Sequence, residues 1–557
     1  RLEIAQRFQR FHGINRRIVM RNTTTYAILS IRALRPECMA QPLLRGIEID
    51  RLSRSWLIAT EQTAHWKIFH EELRAMENYD IPYFDFPLGS TSIRSDFGDI
   101  EGVISSEGIH AATLRLERFS PSELEWQARL IRGAFASRDS IHQAQQSSSA
   151  EIVEFTALTP TQIANQLTDL TLKDTAGNPT WLVLEAQGNA DHFALQSISL
   201  NLYGGRAGLM AFFSSQRSDV QVTEAMVEVE SLFTHSQDGA AFRAVRDNGL
   251  GINGIGGVAR LYEYLETNSS LEPGKAAIFW DAFSELVTEQ LVARDRSFDV
   301  ISGVAGSAGA LARRFTAFGE PVTRNAVELI AHHLIKNLTE DGNWIGQFSS
   351  RALNGLAHGS SGIGIALIEI GVALENTDFI DAGARAMSTE SADFVATAGN
   401  WRDLREHNTK ASEDKFMYGW CAGAPGIALT RMRALELVPD HNDGHMWRHD
   451  LALAAHTTAS TGVVGLDSIC CGNLGRALIL SYLGDSTGQD QWNLASKELL
   501  EAIQSRAASL GGFRITAFGS PELQAPSLFK GLAGVGFALN QISGTKQDRI
   551  AARHLFI

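Results

Sequence analysis

Seven times in 557 residues a Gly-x-x-Gly pair opens an apolar, helix-periodic run. The runs are GRAGLMAFF from Gly205, GIGGVARLYEYL from Gly254, GVAGSAGAL from Gly303 and GSSGIGIALIEI from Gly359, then GAPGIALTRM from Gly423, GNLGRALILSYL from Gly472 and GLAGVGFALNQI from Gly531. Their first glycines are spaced 49, 49, 56, 64, 49 and 59 residues apart. Self-similarity at such a period means that one supersecondary unit is repeated and stacked. About fifty residues suits a helix pair with two connections, and second helical patterns lie between the glycine motifs, as in Lys275–Ala293 and Thr323–Leu338. The small residues let one helix of each pair start close to its neighbours. The outermost repeats are as apolar as the middle ones, whereas an open solenoid needs polar caps. The sequence therefore predicts a mainly α fold, an α/α toroid of seven helical hairpins with inner helices inside outer ones.

Tight packing at a helix start explains most of these glycines, so chemistry is expected where a repeat departs from the pattern. Cys421 stands two residues before Gly423, Cys470 and Cys471 directly before Gly472, His358 directly before Gly359, and Asp299 four before Gly303. In a ring, equivalent positions converge on one mouth of the cavity. Three thiols there suit a thiophilic divalent ion: zinc takes thiolates in a tetrahedron, and a catalytic site leaves the fourth position open. Thiolates disfavour Mg2+ and Ca2+, and an iron–sulfur cluster wants a fourth Cys. The bland alternative is three small buried residues. A disulfide between Cys470 and Cys471 is disfavoured, because adjacent Cα atoms lie about 3.8 Å apart, below the usual range. The fourth cysteine, Cys38, lies outside the repeats. His358 is a candidate proton donor or acceptor. Asp299 either orients that imidazole or caps the following helix.

Net charge is −14, which argues against nucleic acid or an anionic membrane as main partner. No apolar run is long enough to span a bilayer, and the N-terminal stretch lacks a signal-peptide core. Sparse cysteine suggests a reducing cytoplasm. The absence of an initiator Met raises the expectation that the chain is part of something longer. The polar stretch SRDSIHQAQQSSSAE, 137–151, is the expected linker.

The segments FDVISGVAG, GLAHGSSGIG, NWRDLR, GWCAGAPGIAL, CCGNLGRA and SLFKGLAGVGFAL resemble, in order, the cyclase domain of class II lanthipeptide synthetases, the LanM family. Upstream, RRIVMRNTTTYAIL and MENYDIPYFDF resemble the end of the LanM dehydratase domain. The resemblance implies the C-terminal part of a kinase-like α+β dehydratase over 1–140, a linker at 141–151 and a zinc-dependent LanC-like toroid over 152–557. It implies Cys421, Cys470 and Cys471 as zinc ligands, and Arg17 and Thr23 as remnants of phosphate elimination, while His358 and Asp299 stand, from their repeat phase, as the candidate catalytic residues. The ATP and Mg2+ of the intact dehydratase belong to a site upstream of this chain. The implied partner is a ribosomal precursor peptide with its leader; association with a peptide exporter is a further expectation.

The sequence departs from the family at Asn22, usually Pro; at Ala422, often His or Tyr; and at Met417, where stand-alone cyclases carry Arg. Many relatives have Cys-His where this chain has Cys470-Cys471, giving a subgroup with three thiolates. The implied reaction adds a peptide Cys thiol across dehydroalanine or dehydrobutyrine to form lanthionine rings. Two alternatives stand beside it. One is a non-catalytic zinc toroid that holds a thiol such as glutathione. The other is a prenyl transferase or glycosidase toroid, although the aspartate-rich or paired-carboxylate motifs expected of those are missing.

Overall fold

The computed structural model describes the chain from residue 7 onward, apart from 132–157, 174–178, 187–192, 217–245, 406–414 and 516–524, parts of 54–63 and 119–130, and a few single positions. It divides into two compact units, Arg1–Arg129 and Leu130–Ile557. The expected linker, 141–151, lies outside the described residues.

The first unit is a four-stranded antiparallel sheet with helices. Its strands β1 (Asn15–Ile18), β2 (Phe84–Pro87), β3 (Ile93–Ser95) and β4 (Gly98–Ile100) lie in sequence order. Helix α1 (Thr23–Ala33) follows β1 through the turn 19–22, and Asn22 Oδ1 accepts from Thr24 N at 3.0 Å to cap it. Asn at this position thus does an N-cap's work, satisfying a backbone donor that has no intrahelical partner. Helix α2 (Phe69–Glu77) carries the fully buried Glu72, which receives Arg21 Nε at 2.9 Å and Tyr26 Oη at 2.5 Å.

The second unit is built on seven inner helices: α4 (Arg206–Ser214), α5 (Ile255–Thr267), α7 (Ala305–Phe318), α9 (Ser360–Ala373), α11 (Ala424–Leu437), α13 (Asn473–Thr487) and α15 (Leu532–Ser543). Around them lie α3 (Pro160–Asp169), α6 (Pro273–Leu286), α8 (Pro321–Lys336), α10 (Thr377–Ser391), α12 (Gly444–Ser460) and α14 (Asp490–Leu510), while α16 (Lys546–Arg553) packs on the inner helices α5, α13 and α15. Each inner helix packs on the next, and α15 packs back on α4. The ring is therefore closed, and the open solenoid is excluded.

Six of the seven inner helices begin directly after the first glycine of their motif; α7 starts one residue later, behind Val304. The requirement for glycine is steric: a Cβ on Gly475 would run into the Ile469 carbonyl, and one on Gly472 into the Ser468 backbone. The inner helices are apolar nearly all round, as a helix sandwiched between neighbours must be. On α9, every residue from Ser360 to Gly371 is buried.

The ring axis is filled. Trp420 Nε1 donates to the Phe556 carbonyl at 3.0 Å, and the Phe529 ring lies 5.4 Å from that of Phe556. Behind this aromatic layer Arg313 pairs with Glu263 at 2.5 Å and with Glu369 at 2.7 Å, while Arg433 reaches Glu369 at 2.8 Å. Arg313 also donates to the Ile557 carbonyl at 3.3 Å.

Candidate metal centre at the ring mouth

The loops that lead into the inner helices are tied to one another by main-chain hydrogen bonds. Leu202 N donates to Ile252 O, Ile252 N to Val300 O, Val300 N to Ala357 O and Ala357 N to Cys421 O. Cys421 N then donates to Cys470 O, Cys470 N to Phe529 O, and Phe529 N back to Tyr203 O, all within 2.9–3.3 Å. This circuit fixes the loops in register, so the residues two before and one before each motif glycine line the mouth in ring order. Backbone geometry thus brings together residues that lie 48 or more positions apart in the chain.

Three sulfurs meet there. Cys471 Sγ lies 3.3 Å from Cys421 Sγ and 3.3 Å from Cys470 Sγ, and all three ligand atoms lie within 4.8 Å of one another. None is in a disulfide. A tetrahedral zinc with bonds of about 2.3 Å sets its sulfurs roughly 3.8 Å apart, so small rotations of these side chains create the set. Cys421 and Cys470 are buried, while Cys471 is exposed, which leaves one side of the cluster open. Proton sharing polarises the trio. Hydrogen bonding to Cys421 and Cys470, aided by the charges of Lys530 and Arg405, pulls the Cys471 thiol far below its usual range. Cys470 is driven up by its bonds to Cys421 and Cys471 and by burial. For Cys421 the bond to Cys470 pulls downward, but Cys471 and burial outweigh it and push the thiol up to about 12. Sulfurs polarised in this way suit a soft cation.

One repeat away from Cys421, His358 Nδ1–H donates to Asp299 Oδ2 at 2.7 Å. Oδ1 of the same carboxylate accepts from Ser302 N at 2.7 Å and from Gly303 N at 3.2 Å. Asp299 thus both orients the imidazole and braces its own loop. The amide at the start of α7, Val304 N, is served by Asp295 instead, at 3.0 Å. With Nδ1 engaged, Nε2 is the nitrogen left to work, and the imidazole side chain is 38% exposed.

A family model described as "Lanthionine synthetase C-like protein" matches residues 196–555. The chain belongs to this family. A second model, "Domain of unknown function (DUF4135)", matches residues 1–87. The two together identify a LanM-type lanthipeptide synthetase, with a lanthionine cyclase domain as its larger part. Among solved structures, "Nisin cyclase" aligns at 15% identity and TM-score 0.45, over 64% of this chain and 93% of that one. An "unsaturated glucuronyl hydrolase specific for heparin" aligns at 12% and 0.37, over 62% and 95%. A "sugar epimerase from ruminal bacterium" aligns at 10% and 0.35, over 60% and 86%. Likenesses this distant carry no functional weight.

In the region matched by the second model, Arg17 lies on β1 in register with Asp85, its guanidinium 5.4 Å from the centre of the Tyr83 ring. Thr23 is the exposed first residue of α1. Cys38 is buried within the first unit.

Sequence reasoning passed over three residues at the mouth of the LanC-like ring. Tyr203 stands two before Gly205, the phase of Cys421 and Cys470, and its hydroxyl donates to Cys470 Sγ at 3.1 Å. Burial first, and then the charge at Cys470, hold its phenol well above the usual range, so it remains a donor. Lys530 stands one before Gly531, the phase of His358 and Cys471, and lies over the Tyr203 ring at 5.5 Å. Repeat phase would have found both. Arg405 sits outside the glycine motifs, and its guanidinium touches Met417 Sδ while Asp403 holds it at 2.8 Å. A guanidinium therefore does reach Met417, the position where stand-alone cyclases carry Arg.

Proposed function

We propose that the toroid closes thioether rings in a ribosomal precursor peptide whose Ser and Thr have been dehydrated. The observation that carries this reading is a three-sulfur cluster, open on the Cys471 side, one repeat from an oriented imidazole. A Zn2+ held by Cys421, Cys470 and Cys471 would supply a fourth coordination position and keep an incoming thiol deprotonated.

The remaining steps fall to the chain's own groups. The peptide cysteine sulfur bonds to the β-carbon of the dehydro residue, and the alkene π pair shifts to the α-carbon and its carbonyl as an enolate. The α-carbon then takes a proton from His358 Nε2–H, whose ring is held in orientation by Asp299 through Nδ1. The sulfur's own proton, lost earlier, balances the one delivered, so no redox partner is needed. Tyr203 steadies Cys470 by donating to it. Dehydration by phosphorylation and elimination, with Arg17 and Thr23 as its remnant here, would precede this step in the intact synthetase, in the cytoplasm.

The test is incubation with a dehydrated, Cys-containing precursor, followed by thiol alkylation and mass spectrometry to count unclosed rings. Closure by the native chain, and its loss in Cys421→Ala and His358→Asn, are expected. A native chain that binds zinc and glutathione but leaves every peptide thiol alkylatable would favour the non-catalytic thiol-binding reading.

A further inference from the structure

A divalent ion with three thiolates carries a net −1, and a fourth thiolate from the peptide makes it −2. Held in a half-buried site, such charge is costly unless opposite charge is close. A Cys2His set carries one negative charge fewer. The three-sulfur version of the centre therefore calls for positive charge that a sulfur–imidazole site can do without.

The mouth provides that charge on two sides. In ring order the cluster comes from the fifth and sixth repeats, and Lys530 from the seventh, tied in by the Cys470 N to Phe529 O hydrogen bond. The Lys530 Nζ lies over the ring of Tyr203, and the hydroxyl of that same Tyr203 reaches Cys470. Among the described residues no carboxylate pairs with Lys530, so its charge is not taken up by a salt bridge. Arg405 arrives from the loop after Trp401, braced by Asp403 and Met417. Its charge is partly spent on Asp403, so its contribution is the smaller one. His358 lies on the opposite flank, next to the fifth repeat, which leaves Lys530 free of the proton-transfer role.

Resting on the reading of the cluster as a thiolate metal centre, we propose that Lys530, supported by Arg405, is a built-in counter-charge that permits a third thiolate ligand. Lys530 acts through space on the ligands; it is a positioning residue for charge and not a ligand.

The test is Zn2+ affinity of the full chain, measured by competition with a chromogenic chelator at low and high salt. Lys530→Met is expected to weaken Zn2+ about tenfold at low salt, the size of one Coulomb interaction near a protein surface, and less at high salt because the interaction is screened. Lys530→Arg should restore affinity to near native. Arg405→Leu should cost less, about threefold, and the double variant should show roughly the product of the two losses. Native Zn2+ affinity in Lys530→Met at low salt overturns the proposal, and so does a loss that is independent of salt and not rescued by Lys530→Arg. A native chain that does not bind Zn2+ at all would instead overturn the metal-centre reading beneath it. Lys530 is exposed, so the variants are expected to fold, which circular dichroism checks.

Discussion

Asp299→Asn isolates the orienting role of the carboxylate from its role in bracing the loop. The amide oxygen that replaces Oδ1 can still accept from Ser302 N and Gly303 N, now bonded at 2.7 and 3.2 Å. What disappears is the charge-assisted bond to His358 Nδ1, 2.7 Å long and largely shielded on the Asp299 side. A hydrogen bond to a charged partner contributes about 1.5–3 kcal/mol. If that stabilisation is felt mainly when the imidazole is poised to give its proton, ring closure slows by about 10- to 150-fold. The amide also presents an N–H toward Nδ1, which favours the wrong tautomer and pushes the loss to the upper end. The assay is single-turnover ring closure on a dehydrated peptide, quenched by alkylation and read by mass, with Zn2+ content measured on the same samples. Native Zn2+ with the stated loss of rate is the expected result. Asp299→Ala, which also removes the loop braces, should lose thermal stability as well. A native closure rate in Asp299→Asn would refute the role given to the pair, since among the described residues nothing else holds that imidazole by its Nδ1.

Three further outcomes follow from features of the ring. Arg431 is fully buried and bonds Glu390 at 3.2 Å, Asp450 at 3.1 Å and Ser361 Oγ at 2.8 Å; Arg431→Met strands two buried carboxylates and should cost about 3–5 kcal/mol, read by denaturant titration, with Arg431→Met/Glu390→Gln recovering part of it. Burial alone would raise the Glu369 carboxyl, but Arg313 and Arg433 outweigh it and hold it at about 2. A depressed value in the folded state means stability that is present above the unfolded carboxylate range and lost as pH falls toward about 2; acid unfolding monitored by circular dichroism should show this slope, and an unchanged acid limb in Glu369→Gln would refute it. Cys471→His replaces a thiolate by a neutral ligand, so bound Zn2+ should persist while ring closure slows, because the peptide sulfur is then held more tightly and is less nucleophilic; unchanged rates would count against this.

The ring was legible because its helices are set by a steric need that only glycine meets, repeated at a nearly constant interval. The sulfur cluster and His358 were legible for the same reason: a departure at a fixed repeat phase predicts where a side chain goes. Of the two placements weighed for Asp299, beside the imidazole or capping the following helix, the carboxylate meets His358 through Oδ2, while Oδ1 takes the loop amides of Ser302 and Gly303 and leaves the helix start to Asp295. Tyr203 and Lys530 obey the same phase but are chemically ordinary residues, so they did not stand out from the pattern. Arg405 lies in the quoted segment NWRDLR, but it reaches the mouth from an irregular loop with no repeat phase, so nothing in the pattern marked its place there. The pairing of Arg313 with Glu263 and Glu369 joins three different repeats, and side-chain matching across a ring leaves no mark in local sequence. Nor did the sequence show that Phe556 and Ile557 fill the axis, since their partners lie 136 and 244 residues upstream.

That filled axis governs traffic. With Trp420, Phe556 and Arg313 across the centre, the toroid is a bowl and not a tunnel, so a peptide bound as proposed would arrive and depart over the same rim. On the proposed function, threading through the centre is then not the expected route. Each thioether would then be made by dipping a loop of the peptide onto the lip and withdrawing it, and rings already closed would be no obstacle to making the next.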